Sequence, residues 1–378
     1  MEINPLIAGT GASPIAALHE RAREMAESGP LLDFSVGDPR EPTPSRVVEA
    51  LHAAVPTVSQ YPLAQGILEA REAVAGYVER RFGIRANPDR HVLITGGSKE
   101  AIFHAPAALC EAGGGQKVIC PSPGYTPYVR GTLHAGAEPA VEVLSGDFAF
   151  RSTDLERLLP AQMLWINYPH NPTGAVLSRA DLEELVGTAQ ANDVWLCSDE
   201  CYPDLFEGDP PPSALEFAGP DFTGVLAFFS ASKRSGMTGY RVGAVVGDAE
   251  GIEAMRLLKQ SAGTVPPEFV QRAAAEAWSD DAHPAERSAL FSRKRAILRR
   301  AFEDNGYEVV GSTAGLYIWV KVGNDLAITE QLLGSRIVVA PGRTFGPGGE
   351  GFIRLALVPT LQECELAEQE IRECLTNN

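Results

Sequence analysis

Short apolar runs alternate with amphipathic stretches through the middle of the chain. His91-Val92-Leu93-Ile94-Thr95 reads as a strand, and Gly96-Gly97-Ser98-Lys99-Glu100 leads from it into an alanine-rich helix. Lys117 to Cys120, Leu164 to Asn167, Val194 to Cys197, Val225 to Phe229 and Val242 to Val246 read as further strands. Between them, Asp181 to Ala191 carries Leu182, Leu185 and Val186 at helical spacing. Strands that are apolar throughout must be covered on both faces. The pattern therefore predicts an α/β fold whose large domain holds a mainly parallel sheet flanked by helices.

After about residue 250 the pattern changes. Gly251 to Lys259, Pro267 to Trp278 and Ala285 to Asn305 read as long helices. Gly315 to Val320, Ile337 to Ala340 and Phe352 to Leu357 then read as strands of a smaller α+β domain. The expected division is an N-terminal segment, 1–45, packing with the small domain or a partner subunit, a large cofactor-binding domain, 46–262, and a small C-terminal domain, 263–378.

Composition narrows the function. The 378 residues are 44% apolar and carry a net charge of −17, which supplies a substantial core and argues against nucleic acid as a partner. No apolar stretch approaches the roughly 20 residues of a membrane span, and the N-terminus lacks a secretory pattern, so a cytoplasmic address is expected. The six cysteines, Cys110, Cys120, Cys197, Cys201, Cys364 and Cys374, form no C-x-x-C pair and read as small packing residues. His104, His134 and His170 lack ligand spacing, and no metal is expected.

In such sheets ligands sit beyond the carboxyl ends of the strands, and four strand ends carry polar groups. Gly97-Ser98-Lys99 opens a helix, which makes either an anion site or an ordinary capped turn. Asn167-Tyr168-Pro169-His170-Asn171-Pro172-Thr173-Gly174 forces a tight turn in which Asn171-Pro172 is a candidate cis bond. Ser198-Asp199-Glu200-Cys201-Tyr202 puts a carboxylate at a buried strand end, where it either meets a cation or caps a helix. Ser230-Ala231-Ser232-Lys233 follows an apolar strand and precedes Arg241; Lys233 is one of only six lysines beside 26 arginines. A lysine amine becomes nucleophilic when burial and a nearby cation favour loss of its proton. Together these parts suit pyridoxal 5'-phosphate, which needs an amine, an acid for its ring nitrogen and donors for its phosphate.

The N-P-T-G turn, the S-D-E-x-Y stretch and the S-x-S-K segment with G-Y-R-x-G behind it resemble the fold-type-I, pyridoxal-phosphate-dependent aminotransferases of class I/II, nearly end to end. The resemblance implies that Lys233 bonds the cofactor and moves the substrate proton, with Asp199 on the ring nitrogen and Asn171 and Tyr202 on the ring oxygen. It implies Tyr125 on the ring face, and Gly97, Ser98, Lys99, Ser230, Ser232 and Arg241 around the phosphate. Tyr61 matches a tyrosine that family members lend to the neighbouring subunit, which implies a homodimer with shared sites. Gly37, Asn171 and Arg354 would bind the substrate α-carboxylate.

Within that superfamily, Ser198 to Tyr202, Gly97 to Glu100 and Val339 to Gly349 resemble N-succinyldiaminopimelate aminotransferases. That implies exchange between N-succinyl-LL-diaminopimelate and 2-oxoglutarate in lysine biosynthesis. A broader aspartate, alanine or aromatic aminotransferase is the alternative, then a lyase on the same cofactor. A ligand-sensing module for a DNA-binding protein is disfavoured by the charge. Ala70 stands where the family usually has leucine, a packing change. Arg343 and Arg40 are candidate readers of a distal carboxylate, with no role assigned.

Overall fold

The computed structural model describes residues 4–8, 16–111 and 113–376. Seven strands form the large sheet, in the spatial order Val92–Thr95, Gly243–Gly247, Val225–Ser230, Trp195–Asp199, Met163–Asn167, Lys117–Ser122 and Glu138–Val143. All run parallel except Gly243–Gly247, which is antiparallel to both neighbours. Helices cover both faces. The strand Val225–Ser230 is buried at every position, which is why it reads as a continuous apolar run. Each such side chain taken from water contributes roughly 1.5–3 kcal/mol.

The helices follow local rules. Arg179–Ala191 starts at Ser178, whose hydroxyl accepts from the Asp181 amide, and buries Leu182, Leu185, Val186 and Ala189 on one face. Ala249–Ala262 is capped by Asp248 and ends at Gly263, whose φ of 67° suits a residue without a Cβ.

The edge strand Glu138–Val143 was not evident in the sequence, because it mixes exposed with half-buried residues and lacks an apolar run. The helix Glu268–Trp278 lies beyond the expected boundary at 262, yet Val270, Ala273, Ala274 and Trp278 join the core of the large sheet. It packs against the helices Ser45–Ala54 and Leu68–Phe82.

A second, antiparallel sheet has the order Ala340–Pro341, Phe352–Ala356, Tyr317–Lys321 and Glu308–Val310. The long helix Ala282–Glu303 and the C-terminal helix Leu361–Thr376 pack together beside it. Leu32–Asp33 pairs in parallel with Ile337–Val338, and Leu18 and Ala22 pack on Leu333 and Val338. The N-terminal segment then crosses between the two sheets: Phe34 accepts from the Ala356 amide at 2.7 Å, which delivers Ser35 and Gly37 to the carboxyl edge of the large sheet.

Candidate active site

Register gathers the polar groups. Gly243 pairs with both Thr95 and Ser230, so the turn after Thr95, the segment before Gly243 and the helix after Ser230 meet at one sheet edge. A Cβ on Gly243 would lie 2.7 Å from the Phe229 carbonyl oxygen and 2.9 Å from the Ser98 amide nitrogen, so this close approach needs glycine. In the adjoining strands Asn167 pairs with Asp199, which pairs with Phe228.

Lys233 lies in the one-turn helix Ala231–Arg234, which begins where the Ser230 hydroxyl accepts from the Ser232 amide at 3.2 Å. Its Nζ donates to the Gly37 carbonyl oxygen. Burial lowers the amine to about 8; Asp38 opposes this, while Arg354 and Arg241 add to it. The neutral amine is therefore accessible near neutral pH.

Asp199 ends its strand and caps no helix. Tyr128 donates to its Oδ2 at 2.6 Å, while its Oδ1 is buried without a partner. Burial raises its pKa, and the neighbouring Cys201 and the Tyr128 hydroxyl pull it back. The Tyr128 ring stacks on Trp165, with centroids 4.9 Å apart, which fixes the phenol. Asn167 donates to the Asp199 carbonyl oxygen at 2.7 Å and accepts from the Asn171 amide at 2.8 Å, tying the two strand ends together. The turn holds two cis bonds, Tyr168-Pro169 and the expected Asn171-Pro172.

Arg354 stands opposite Trp319 in the second sheet, on the face it shares with Tyr317. Its guanidinium is sandwiched, 4.3 Å from the Tyr317 ring centroid and 4.4 Å from that of Phe345. It donates to Asn171 Oδ1 at 3.0 Å and the Ser35 carbonyl oxygen at 2.7 Å, while its Nε is buried without a partner. Burial lowers its pKa, yet arginine keeps its charge, so an anionic partner would be strongly favoured. Tyr202 and Tyr317 share a hydrogen bond of 3.0 Å beside it. A Cβ on Gly37 would lie 2.5 Å from the Tyr317 hydroxyl, so any side chain there would have to push that ring aside.

At the other end of the cleft, Gly97 (φ 90°) caps the helix Ser98–Leu109, so Ser98 is its first residue and not its cap. A Cβ on Gly97 would meet Arg241 Nη2 at 2.7 Å. Arg241 takes a left-handed φ of 55° and donates to the Thr238 and Gly96 carbonyl oxygens. The Cys201 thiol donates to the Ser98 hydroxyl at 3.0 Å. Lys99 is exposed, its amine 6.0 Å from the centroid of the Tyr125 ring, which stands edge-on to Tyr128.

Thus Lys233, Asp199, Asn171, Tyr202, Tyr125, Ser98, Ser230, Ser232, Arg241, Gly37 and Arg354 come together, with Gly97 in the turn. Tyr61 does not: it is fully exposed in the single chain. Arg343 is held by both oxygens of Asp325, at 2.8 and 2.7 Å, and Arg40 pairs with Glu363 at 3.4 Å. His170 is buried against Thr173, and burial drives its ring down to about 3, so it stays neutral. Sequence reasoning missed Tyr128, Tyr317 and Phe345. Tyr128 had a signal, lying three residues after Tyr125 in the same Pro-Gly-rich turn.

These residues fit pyridoxal phosphate. The unpartnered Asp199 oxygen suits a protonated ring nitrogen, and the glycine-opened helix beside Arg241 suits a phosphate. Comparison with known proteins agrees. The chain is 35% identical over 370 residues to LL-diaminopimelate aminotransferase 2 of Trichormus variabilis, covering 93% of this chain and 94% of that protein. Its structure resembles an aminotransferase from Neisseria meningitidis (TM-score 0.90, 30% identity, 98% of this chain and 99% of the other). It also resembles a double mutant of Thermus thermophilus aspartate aminotransferase (TM-score 0.92, 26% identity, 99% and 100%). The profile of one family, aminotransferase class I and II, spans residues 29–370 and so takes in both sheets and every residue gathered at the cleft; the chain belongs to that family and is a pyridoxal-phosphate-dependent aminotransferase.

Proposed function

We propose that this aminotransferase takes a diaminopimelate-type amino donor and passes the amino group to 2-oxoglutarate by a ping-pong reaction in lysine biosynthesis. The relatives at about a third identity carry LL-diaminopimelate in their names, which supports the free diamino acid as donor. The N-succinylated donor is the second reading, supported by the segments Ser198 to Tyr202 and Val339 to Gly349.

The observation that carries the assignment is the pair of buried, unpartnered atoms Asp199 Oδ1 and Arg354 Nε, together with the buried Lys233 amine on the Gly37 carbonyl oxygen. When bound, pyridoxal phosphate supplies an aldehyde and an electron-withdrawing ring. Asp199 would accept a hydrogen bond from the protonated ring nitrogen, and Tyr202 and Asn171 would donate to the ring oxygen. Tyr125 would cover one ring face, while Ser98, Lys99, Ser230, Ser232 and Arg241 would hold the phosphate, with the amide following Gly97. Arg354, Asn171 and Gly37 orient the α-carboxylate, so that the Cα–H bond faces Lys233, which takes the proton as general base. The exposed Tyr61 reaches a neighbouring copy's phosphate, which makes the working unit a homodimer. The cofactor-binding part runs on through Trp278. No helix among the described residues is long and apolar enough to cross a membrane, which supports a cytoplasmic enzyme.

Glutamate formation from 2-oxoglutarate tests this, with LL-diaminopimelate, N-succinyl-LL-diaminopimelate, aspartate, alanine and phenylalanine as donors. The expected result is a preference for LL-diaminopimelate of at least about tenfold in kcat/KM, equivalent to roughly 1.4 kcal/mol. A preference for aspartate or phenylalanine overturns the donor. Loss of the amino group as ammonia, with no glutamate formed, overturns transamination in favour of a lyase.

A further inference from the structure

A cavity of about 470 Å³ lies away from the cleft, where the helix Leu68–Phe82, the segment after Tyr202 and the start of the helix Ala282–Glu303 meet. Its size is within the range of roughly 300–1,000 Å³ common for small-molecule sites. Arg80, Arg81 and Arg234 line it, facing Asp204 and Asp281, an excess of one positive charge.

The hydrogen-bond inventory is lopsided. Asp204 Oδ1 accepts from Arg81 Nε at 3.2 Å, and its Oδ2 accepts from the Tyr77 hydroxyl at 3.0 Å and pairs with Arg234 Nε at 3.0 Å. Asp281 Oδ2 accepts from Arg80 Nε at 2.6 Å, and its Oδ1 from Arg80 and Arg234 at 3.2 and 3.3 Å. All four carboxylate oxygens are therefore engaged. The guanidinium of Arg234, 3% exposed, is turned away from the open space: its two Nη atoms bond the Ala277 and Asp280 carbonyl oxygens, it lies over the Tyr77 and Trp278 rings, and its buried Nε, which makes no hydrogen bond, has only the charge of Asp204 beside it. What is left is donors. Nη1 of Arg80 and Nη1 of Arg81 make no hydrogen bond to a described residue, and neither does the Ser292 hydroxyl on the opposite wall.

Acceptors that are used up, donors that are not, and an excess positive charge select a ligand that accepts hydrogen bonds and carries negative charge. We propose that this cavity binds a small oxyanion, the carboxylate or phosphate group of a metabolite, between Arg80, Arg81 and Ser292. The site is separate from the catalytic cleft but mechanically joined to it. Both aspartates hold Arg234, the residue next to Lys233, so a ligand that draws on Arg80 or Arg81 redistributes the bonds on the lysine's own helix.

Calorimetric titration of inorganic phosphate and, separately, acetate into the cofactor-loaded protein tests the site. The comparison proteins are the Arg80→Gln/Arg81→Gln double variant and Arg354→Ala. The expected result is binding of one of these anions that weakens at least about tenfold in the double variant and persists in Arg354→Ala; a tenfold change is roughly 1.4 kcal/mol. Phosphate alone names a phosphate ligand, and acetate alone a carboxylate. Equal titrations of wild type and double variant overturn the proposal, as does binding lost only in Arg354→Ala, which locates the ion in the cleft. Ser292→Val, from a half-buried helix position, guards against misfolding of the double variant. It should weaken the same binding, and unchanged affinity there counts against the site. The readout is binding, so it stands or falls independently of the amino donor.

Discussion

The Tyr128 phenol donates to Asp199 Oδ2 at 2.6 Å, while the second oxygen of that carboxylate has no partner. One oxygen is thus fixed by the protein and the other is left for a ligand. Burial pushes the Tyr128 hydroxyl well up, so it stays a donor across the working pH range. Tyr128→Phe should strip this bond while keeping the stack on Trp165. A hydrogen bond to a charged group contributes roughly 1.5–3 kcal/mol, so pyridoxal phosphate should bind about ten- to a hundredfold more weakly. Equilibrium binding followed by cofactor absorbance checks this, and an unchanged dissociation constant would refute the role.

The Lys233 amine, lowered to about 8 chiefly by burial, sets a pH profile. Below that value the amine is protonated and cannot attack an aldehyde. The rate of cofactor capture by the cofactor-free protein should therefore rise about tenfold per pH unit and level off near pH 8, well below the roughly 10.4 of an exposed lysine. Stopped-flow absorbance measures it. Lys233→Ala should show no borohydride-reducible attachment at any pH; a retained attachment would move the assignment to another lysine.

The strand ends were legible because apolar runs such as Val225 to Phe229 stop at small or turn-forming residues, and the parallel topology puts most of those ends on one edge. Strand direction was not: nothing local marks Gly243–Gly247 as antiparallel, yet that reversal brings Arg241 to Gly97. Partners distant in sequence were also hidden. Tyr128 lies 71 positions from Asp199, and Tyr317 lies 115 from Tyr202, so only tertiary packing pairs them. The fate of Arg343 was invisible for the same reason, since Asp325 reaches it from a separate helix.

Glu200 gives a test of stability. Ser198 and the Ala214 amide donate to its Oε1, while its Oε2 is buried without a partner. Burial raises its pKa to about 7. An acid whose pKa is raised on folding binds more protons folded than unfolded between the two values, so stability falls as pH rises from about 4.3 through 7. Glu200→Gln supplies a permanently neutral side chain of the same shape. Its melting temperature should match wild type near pH 5 and exceed it increasingly by pH 8, by an amount on the order of 3 kcal/mol in stability. Thermal melts across that range decide it, and a constant gap would show that Glu200 does not titrate.

Arg354 separates substrate binding from cofactor binding. Its bonds to Asn171 and Ser35 and its position between Tyr317 and Phe345 orient the guanidinium without a carboxylate from the chain. A substrate carboxylate would therefore supply its counter-charge. Arg354→Ala should raise KM for amino-acid donors about a hundredfold, since losing a charge-assisted pair costs roughly 3 kcal/mol. Arg354→Lys should recover only part of this, because an ammonium cannot make the planar two-bond contact. Cofactor affinity should change far less than KM in both variants, since Asn171, the cofactor residue bonded to Arg354, stays tied to Asn167 through its own amide and no residue of the glycine-opened phosphate end touches Arg354. Steady-state kinetics beside cofactor titration provide the check, and a loss of cofactor in Arg354→Ala would move the arginine's role from the substrate to the cofactor.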